Sequence, residues 1–221
     1  MHSATKILIN FYHKKPKDYF FNLKDNIIEL VSKSSNKILE IGCGAGATLA
    51  ELKKQNPNRV IIGLDIVDIN SHIKSIIDDF ICANIEEIEL PYPKGFFDTI
   101  IMADVIEHLI NPWECVKNLA QYLSPNGCII ASIPNLTYHR VISNMLFKNE
   151  FEYQESGILD KTHLRFFTKK SIYKLFQDAG FNIINLTSFI STNKGKIINR
   201  LTGGIFEHLL TYKIIVQAFI I

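Results

Sequence analysis

Glu40, Gly42, Gly44, Gly46 and Asp65 are the first residues whose types and spacing carry chemistry. The run Lys37-Ile-Leu-Glu40-Ile-Gly42-Cys43-Gly44-Ala-Gly46 is an apolar stretch closing on an acid and three alternate glycines, the pattern of a buried strand that turns tightly into a helix. Without Cβ atoms the three glycines can take positive φ and let a ligand touch the main chain, while the helix that follows offers unpaired N–H groups. The spacing differs from the G-x-G-x-x-G of pyrophosphate-binding turns. Here the third glycine comes two residues after the second, and Glu40 stands just ahead of the first, so the turn suits a positively charged ligand better than a diphosphate. Asp65 closes a second apolar run, Val60 to Leu64, at roughly the 20-residue distance where nucleotide-binding α/β folds place a ribose carboxylate. A cationic nucleoside satisfies both acids.

These residues need strands and helices to hold them. Phe80 to Asn84 reads as a third short strand, with Asn84 at its end able to meet an adenine edge. Phe97 to Ala103 reads as a fourth and runs into Asp104-Val-Ile-Glu107-His108. Asn111-Pro112-Trp113-Glu114 is a helix start with Asn111 as N-cap, Pro112 in the first turn and Glu114 able to reach back. Val116, Leu119, Ala120 and Leu123 then recur at helical spacing, until Ser124-Pro-Asn-Gly127 stops the pattern. Thr168 caps another helix with Ile172, Leu175, Phe176 and Ala179 as its buried stripe and Gly180 as its left-handed end. Trp113 reads as helix packing. Two further strands are expected near Phe181–Leu186 and Tyr212–Phe219. Alternating strands and helices predict a largely parallel sheet.

From about Lys37 to the C-terminus, the glycine turn, Asp65, the acids after the fourth strand and the Leu123-to-Pro134 stretch occur in an order that resembles the class I S-adenosylmethionine-dependent methyltransferases. The resemblance implies an α/β fold: one Rossmann-like seven-stranded sheet, mostly parallel with an antiparallel C-terminal hairpin, and a lid inserted after strand five. It implies S-adenosylmethionine as cofactor and S-adenosylhomocysteine as product. Carried onto this chain, the cofactor would lie against Glu40, Gly42, Cys43, Gly44 and Gly46 at the turn, against Asp65, Ile66, Asn84 and Ile85 after the second and third strands, and against Ala103, Asp104 and His108 after the fourth. Asn84 departs from the aspartate many members carry, though an amide oxygen accepts the same hydrogen bond.

Residues 135–167 exceed the 2–6 residues or so of an ordinary connection in such a fold and read as an acceptor-side lid. Residues 1–36 read as an N-terminal helical cover of a single domain spanning 1–221. Both segments are rich in aromatic and basic side chains, so Tyr12, His13, Tyr19, Arg140, Lys161 and Arg165 are expected to bind the acceptor. Arg165, between Leu164 and Phe166, favours a partly buried ion pair or an anion contact. An alcohol acceptor must lose a proton as the methyl group arrives, and a histidine is the usual base. His139 and His163 rank above His108, with Asp160 as an orienting partner; the alternative for each is a structural role within the lid. The segment Gly157 to Thr168 resembles a methyltransferase branch associated with surface-polysaccharide and sugar-modifying enzymes. The resulting expectation is O-methylation of a sugar, nucleotide-linked sugar or other phosphorylated precursor, with an anionic small-molecule acceptor. N-methylation of an amino sugar, O-methylation of a quinone-like phenol, and a non-catalytic cofactor-binding subunit stay open, and the glycine spacing disfavours a nicotinamide-dependent dehydrogenase.

Of 221 residues 47% are hydrophobic and 21% charged, enough apolar material for a large core. With 24 Lys and Arg against 22 Asp and Glu, the net charge of +2 gives no reason to expect a nucleic-acid partner. Cys43, Cys82, Cys115 and Cys128 form no C-x-x-C pair and read as reduced core or site-wall residues. The acids after the fourth strand lack a clear ligand spacing, so no metal is expected. No apolar run reaches the roughly 18 residues of a membrane span, and a cytoplasmic protein, with a homodimer open, is the expectation.

Overall fold

The computed structural model describes residues 24–68 and 71–220. The expected acceptor contacts of Tyr12, His13 and Tyr19, and most of the N-terminal cover, lie outside the described residues. Of that cover, a short helix, α1 (Asp25–Ile28), packs Ile27 and Ile28 into the core.

Seven strands form one sheet: β1 (Lys37–Ile41), β2 (Val60–Asp65), β3 (Asp79–Cys82), β4 (Phe97–Ala103), β5 (Leu123–Pro134), β6 (Phe181–Phe189) and β7 (Lys213–Ile220), in the order β3-β2-β1-β4-β5-β7-β6. The first five pair in parallel, and β7 runs antiparallel between β5 and β6. The central parallel strands are covered on both faces, which is why β1, β2 and β4 read as near-continuous apolar runs rather than alternating ones. One face packs Leu39, Ile62, Ile100 and Phe176; the other packs Ile38, Leu49, Ile61 and Ile101. The expected C-terminal pair forms, but it is no tight hairpin. Between β6 and β7 the chain builds α7 (Asn193–Leu201) and α8 (Glu207–Leu210).

Local signals set the helix ends. α2 (Ala47–Gln55) starts at Gly46; a single turn, α3 (Ser71–Lys74), follows β2; and α4 (Pro112–Ala120) has Asn111 as N-cap, its side chain accepting from Glu114 N at 3.2 Å. The capping glutamate comes from elsewhere: Glu86 accepts from Ile110 N (2.9 Å) and Asn111 N (2.6 Å). After β5 the chain forms α5 (His139–Ser143), whose last turn widens into a π-helical turn at Asn144–Lys148. α6 (Lys169–Asp178) carries the expected Thr168 cap, with Ser171 as its reciprocal partner, and ends at Gly180 with φ +87°. The helix ends earlier than its spacing suggests: α4 stops at Ala120 with Gln121 as C-cap, Leu123 already opens β5, and the Ser124–Gly127 stretch is absorbed into that strand as an irregularity. A Cβ on Gly127 would sit 2.9 Å from Phe97 O, so only glycine lets the two strands approach there. Among the described residues no helix is long and apolar enough to cross a membrane.

Strand order reverses between β1 and β4, the place where open α/β sheets leave a crevice beyond the carboxyl ends of their strands.

Candidate active site

That crevice is a cavity of about 440 Å³. Its floor is the glycine turn. Gly42, Gly44 and Gly46 have φ of +69°, +54° and +75°, and a Cβ on Gly42 would lie 2.4 Å from Val105 Cγ2. Both the backbone conformation and the space therefore require glycine. Gly44 N donates to Asp65 Oδ2 at 2.8 Å and Val67 N to Oδ1 at 3.0 Å, so the strand-end carboxylate braces the turn it faces. Burial raises the Asp65 carboxyl above its usual range, against these backbone hydrogen bonds.

Glu40, between Gly63 of β2 and Ile101 of β4, is 1% exposed. Among the described residues its Oε2 has no hydrogen-bond partner. Burial raises its carboxyl to about 8, opposed by the charge of Lys24. A buried acid with an orphaned oxygen facing a cavity is a seat for a cation. Together with a turn that a side chain would obstruct, it fits the ammonium and sulfonium of an adenosyl ligand. Cys43, Ile66, Ile85 and Ala103 also line the cavity, as does Asn84, whose Oδ1 accepts from Glu86 N at 3.0 Å. Gly46 stands behind the wall as the N-cap of α2.

Asp104 follows β4 with φ +61°, a conformation a non-glycine residue keeps only when its surroundings impose it. Lys213 at the start of β7 pairs with it at 2.7 Å, Lys24 lies at 3.7 Å, and Ser132 Oγ donates to Oδ1 at 2.9 Å. Burial pushes this carboxyl up, but the two lysines and the hydrogen bonds outweigh that and hold it below its usual range.

The far wall joins a 3₁₀ turn, Ile106–His108, to the lid. Leu164 N and Arg165 N both donate to Glu107 O, at 2.8 and 3.0 Å. His108 Nδ1 meets Thr162 O at 3.0 Å, and His163 Nδ1 meets Ile158 O at 2.8 Å. A carbonyl can only accept, so both rings carry hydrogen on Nδ1 and present Nε2 as the basic nitrogen in their neutral form. The rings meet edge to face at 4.7 Å, and His163 Nε2 lies 4.0 Å from Glu107 Oε1. Among the described residues neither Glu107 oxygen has a hydrogen-bond partner, and burial followed by the charge of Asp104 raises its carboxyl to about 8. One ligand atom from each of Glu107, His108 and His163 falls within 4.8 Å of the others. Three converging acceptors can share a proton or hold a divalent cation. Sequence spacing gives no hint of this, because His163 reaches the pair only when the lid folds over β4. His108 is held near 4, first by burial and then by His163, and stays neutral at physiological pH.

Of the expected acceptor-side residues that are described, the cavity gathers His163 and Asp160 and leaves out His139, Arg140, Lys161 and Arg165. Asp160 is buried and organises the lid turn, accepting from Thr162 N (2.9 Å) and Thr162 Oγ1 (2.8 Å), while Ile158 O is the carbonyl that orients His163. His139 lies at the start of α5 with Nδ1 3.1 Å from Leu209 O, exposed and away from the cavity. Arg140 is exposed on the same short helix, and Lys161 pairs with Glu155 at the surface. Arg165 donates to the carbonyls of Leu164 and Ile110, fastening the lid to the chain ahead of α4 instead of reaching into the cavity. The expectation of an anionic acceptor rested on these cations. The cavity's lysines, Lys24 and Lys213, are both engaged with Asp104.

A family model described as a methyltransferase domain matches residues 16–186. A ubiquinone biosynthesis O-methyltransferase of Rickettsia typhi is 26% identical over 186 residues, spanning 80% of this chain and 73% of its own. Among solved structures, a SAM dependent methyltransferase from Aquifex aeolicus superposes with a TM-score of 0.60 at 16% identity over the whole of both chains. A Burkholderia thailandensis 1,6-didemethyltoxoflavin-N1-methyltransferase with bound S-adenosylhomocysteine gives 0.56 at 13% identity, covering 98% of this chain and 76% of that one. These two share the fold.

Proposed function

This chain belongs to the methyltransferase domain family and is an S-adenosylmethionine-dependent methyltransferase, and we propose that it methylates a hydroxyl on a small quinone-like phenol. The observation that carries this reading is the composition of the acceptor side. His163 Nε2 and the Glu107 carboxyl group stand there beside apolar Val105, Leu109, Pro134 and the ring of Tyr212, and Arg140, Lys161 and Arg165 do not line the cavity. The carbohydrate expectation loses its footing, since the Rickettsia relative is named for ubiquinone biosynthesis and Arg140, Lys161 and Arg165 are not at hand to pair with a phosphate.

The cofactor supplies an activated methyl group on sulfur, so the chain's own work is alignment, exclusion of water and removal of one proton. Glu40, Asp65 and the bare backbone of the glycine turn hold the donor. The lid, pinned to Glu107 O, closes the acceptor side. A phenol with a pKa of about 10 gives up its proton far more readily than an aliphatic alcohol. His163 Nε2, its tautomer fixed by Ile158 O, accepts that proton.

The test is S-adenosylhomocysteine release with a catechol, a prenylated hydroxybenzoate, an amino sugar and a sugar nucleotide in parallel. Turnover with the two phenols is expected. Turnover confined to the sugar nucleotide or amino sugar would overturn the reading.

A further inference from the structure

Helix α7 is turned inside out. Gly195 and Asn199, small and polar at i and i+4, face the protein, while Ile197, Ile198 and Leu201 face away. The close approach that fixes this orientation is specific, for a Cβ on Gly195 would lie 2.8 Å from Ile190 Cγ2. Past the turn at Gly203 and Gly204 the exposed apolar surface continues with Ile205 and Phe206, and Leu201 and Ile205 are 80% and 72% exposed. An amphipathic helix in water places its apolar stripe on the core. This one places it outside, over a contiguous patch that marks an interaction surface.

Charge identifies the occupant. From residue 179 to residue 206 the sequence has no acid, and its three charged residues are Lys194, Lys196 and Arg200, all exposed on α7. A second copy docking through this face would set three cations against three. An anionic lipid surface takes both the apolar stripe and the cations that flank it. The patch also sits at the cavity's end of the sheet: α8, which follows it, is tied to the lid through Asn135 Nδ2, which donates to His208 O and Thr211 O at 2.8 Å each, and Tyr212 and Lys213 then enter the cavity wall. We infer that the Asn193–Phe206 segment docks this protein on anionic bilayers as an interfacial element lying on the membrane, with the mouth of the cavity beside it. The inference rests on the surface alone and is independent of which acceptor is methylated.

Co-sedimentation of the full chain with phosphatidylcholine vesicles, with and without phosphatidylglycerol, tests it. The chain is expected to partition onto the anionic vesicles. Replacing all three cations, Lys194→Gln, Lys196→Gln and Arg200→Gln, should weaken that partitioning on the order of a hundredfold. The combination Ile197→Ser, Leu201→Ser and Ile205→Ser should abolish it while leaving the thermal midpoint and cofactor affinity unchanged, because these side chains support no core. Failure of the unaltered chain to sediment with anionic vesicles would overturn the inference. So would equal sedimentation of the serine variant, or light scattering showing that this variant dissolves a homodimer.

Discussion

Glu40 should bind the cofactor only after giving up a proton, and that proton can be counted. With its carboxyl near 8, desolvation leaves the side chain about nine-tenths protonated at pH 7 before the ligand binds. A cationic ligand seated against it favours the carboxylate, so binding S-adenosylmethionine at pH 7 should release about 0.9 proton from this group. By the same linkage the apparent affinity at pH 7 lies about tenfold below its alkaline plateau, about 1.4 kcal/mol, and rises with pH until the group is ionised before the ligand arrives. Isothermal titration calorimetry in buffers of different ionisation enthalpy reads the proton count directly. Glu40→Gln keeps the shape, removes the proton and should remove both the buffer dependence and the pH slope that Glu40 contributes. Glu107 has a raised carboxyl in the same cavity, so the informative quantity is the difference between the unaltered chain and the variant. An identical proton count in the two would refute the assignment of Glu40 as the cation's seat.

The remaining expectations concern the turn, the base and the frame. Asp65→Ala removes both a ligand acceptor and the brace on Gly44 N, and should weaken cofactor binding by about 10- to 100-fold in a direct titration, as loss of a hydrogen bond to a charged group does. Gly42→Ala must accommodate a Cβ 2.4 Å from Val105 Cγ2 at φ +69°; thermal unfolding should show a loss of about 1–3 kcal/mol, only partly relieved by adding Val105→Ala. His163→Ala should lower kcat by about 10²- to 10⁴-fold with cofactor affinity kept, whereas His139→Ala should leave kcat unchanged. Arg59, 4% exposed, donates to the carbonyls of Ser35, Leu52 and Ser32; Arg59→Met should remove these three bonds, leaving Leu52 O and Ser32 O their backbone donors, and lower the thermal midpoint by about 4–8 °C, for a loss of about 2 kcal/mol.

What was legible in the sequence was local. The glycine turn, Asp65 at the end of its strand, and the caps at Asn111 and Thr168 each depend on a few neighbouring residues, and each forms where its pattern stands. Contacts made by closure of the chain left no local trace. The Asp104–Lys213 pair joins residues 109 apart in sequence, and His163 comes to Glu107 only when the lid crosses β4. The lid's cations were misread for the same reason. Arg165 looked poised for an anion because it stands between two apolar residues, but carbonyls at Leu164 and Ile110 lie within its reach and satisfy the guanidinium first. The segment from 187 to 211 carries no strong signal, and the orientation of α7 is set by the fit of Gly195 against Ile190, a contact no periodicity encodes.

The central claim is that the donor held at Glu40 and the glycine turn passes its methyl group to a phenolic oxygen brought up against His163. It is tested most directly by incubating the protein with donor carrying a carbon-13 methyl group and a catechol, then locating the label in the product by nuclear magnetic resonance. The account predicts a single labelled methoxy carbon on the ring, formed by the unaltered chain and nearly absent with His163→Ala. Label on nitrogen or carbon, or an undiminished methoxy signal from His163→Ala, would contradict it.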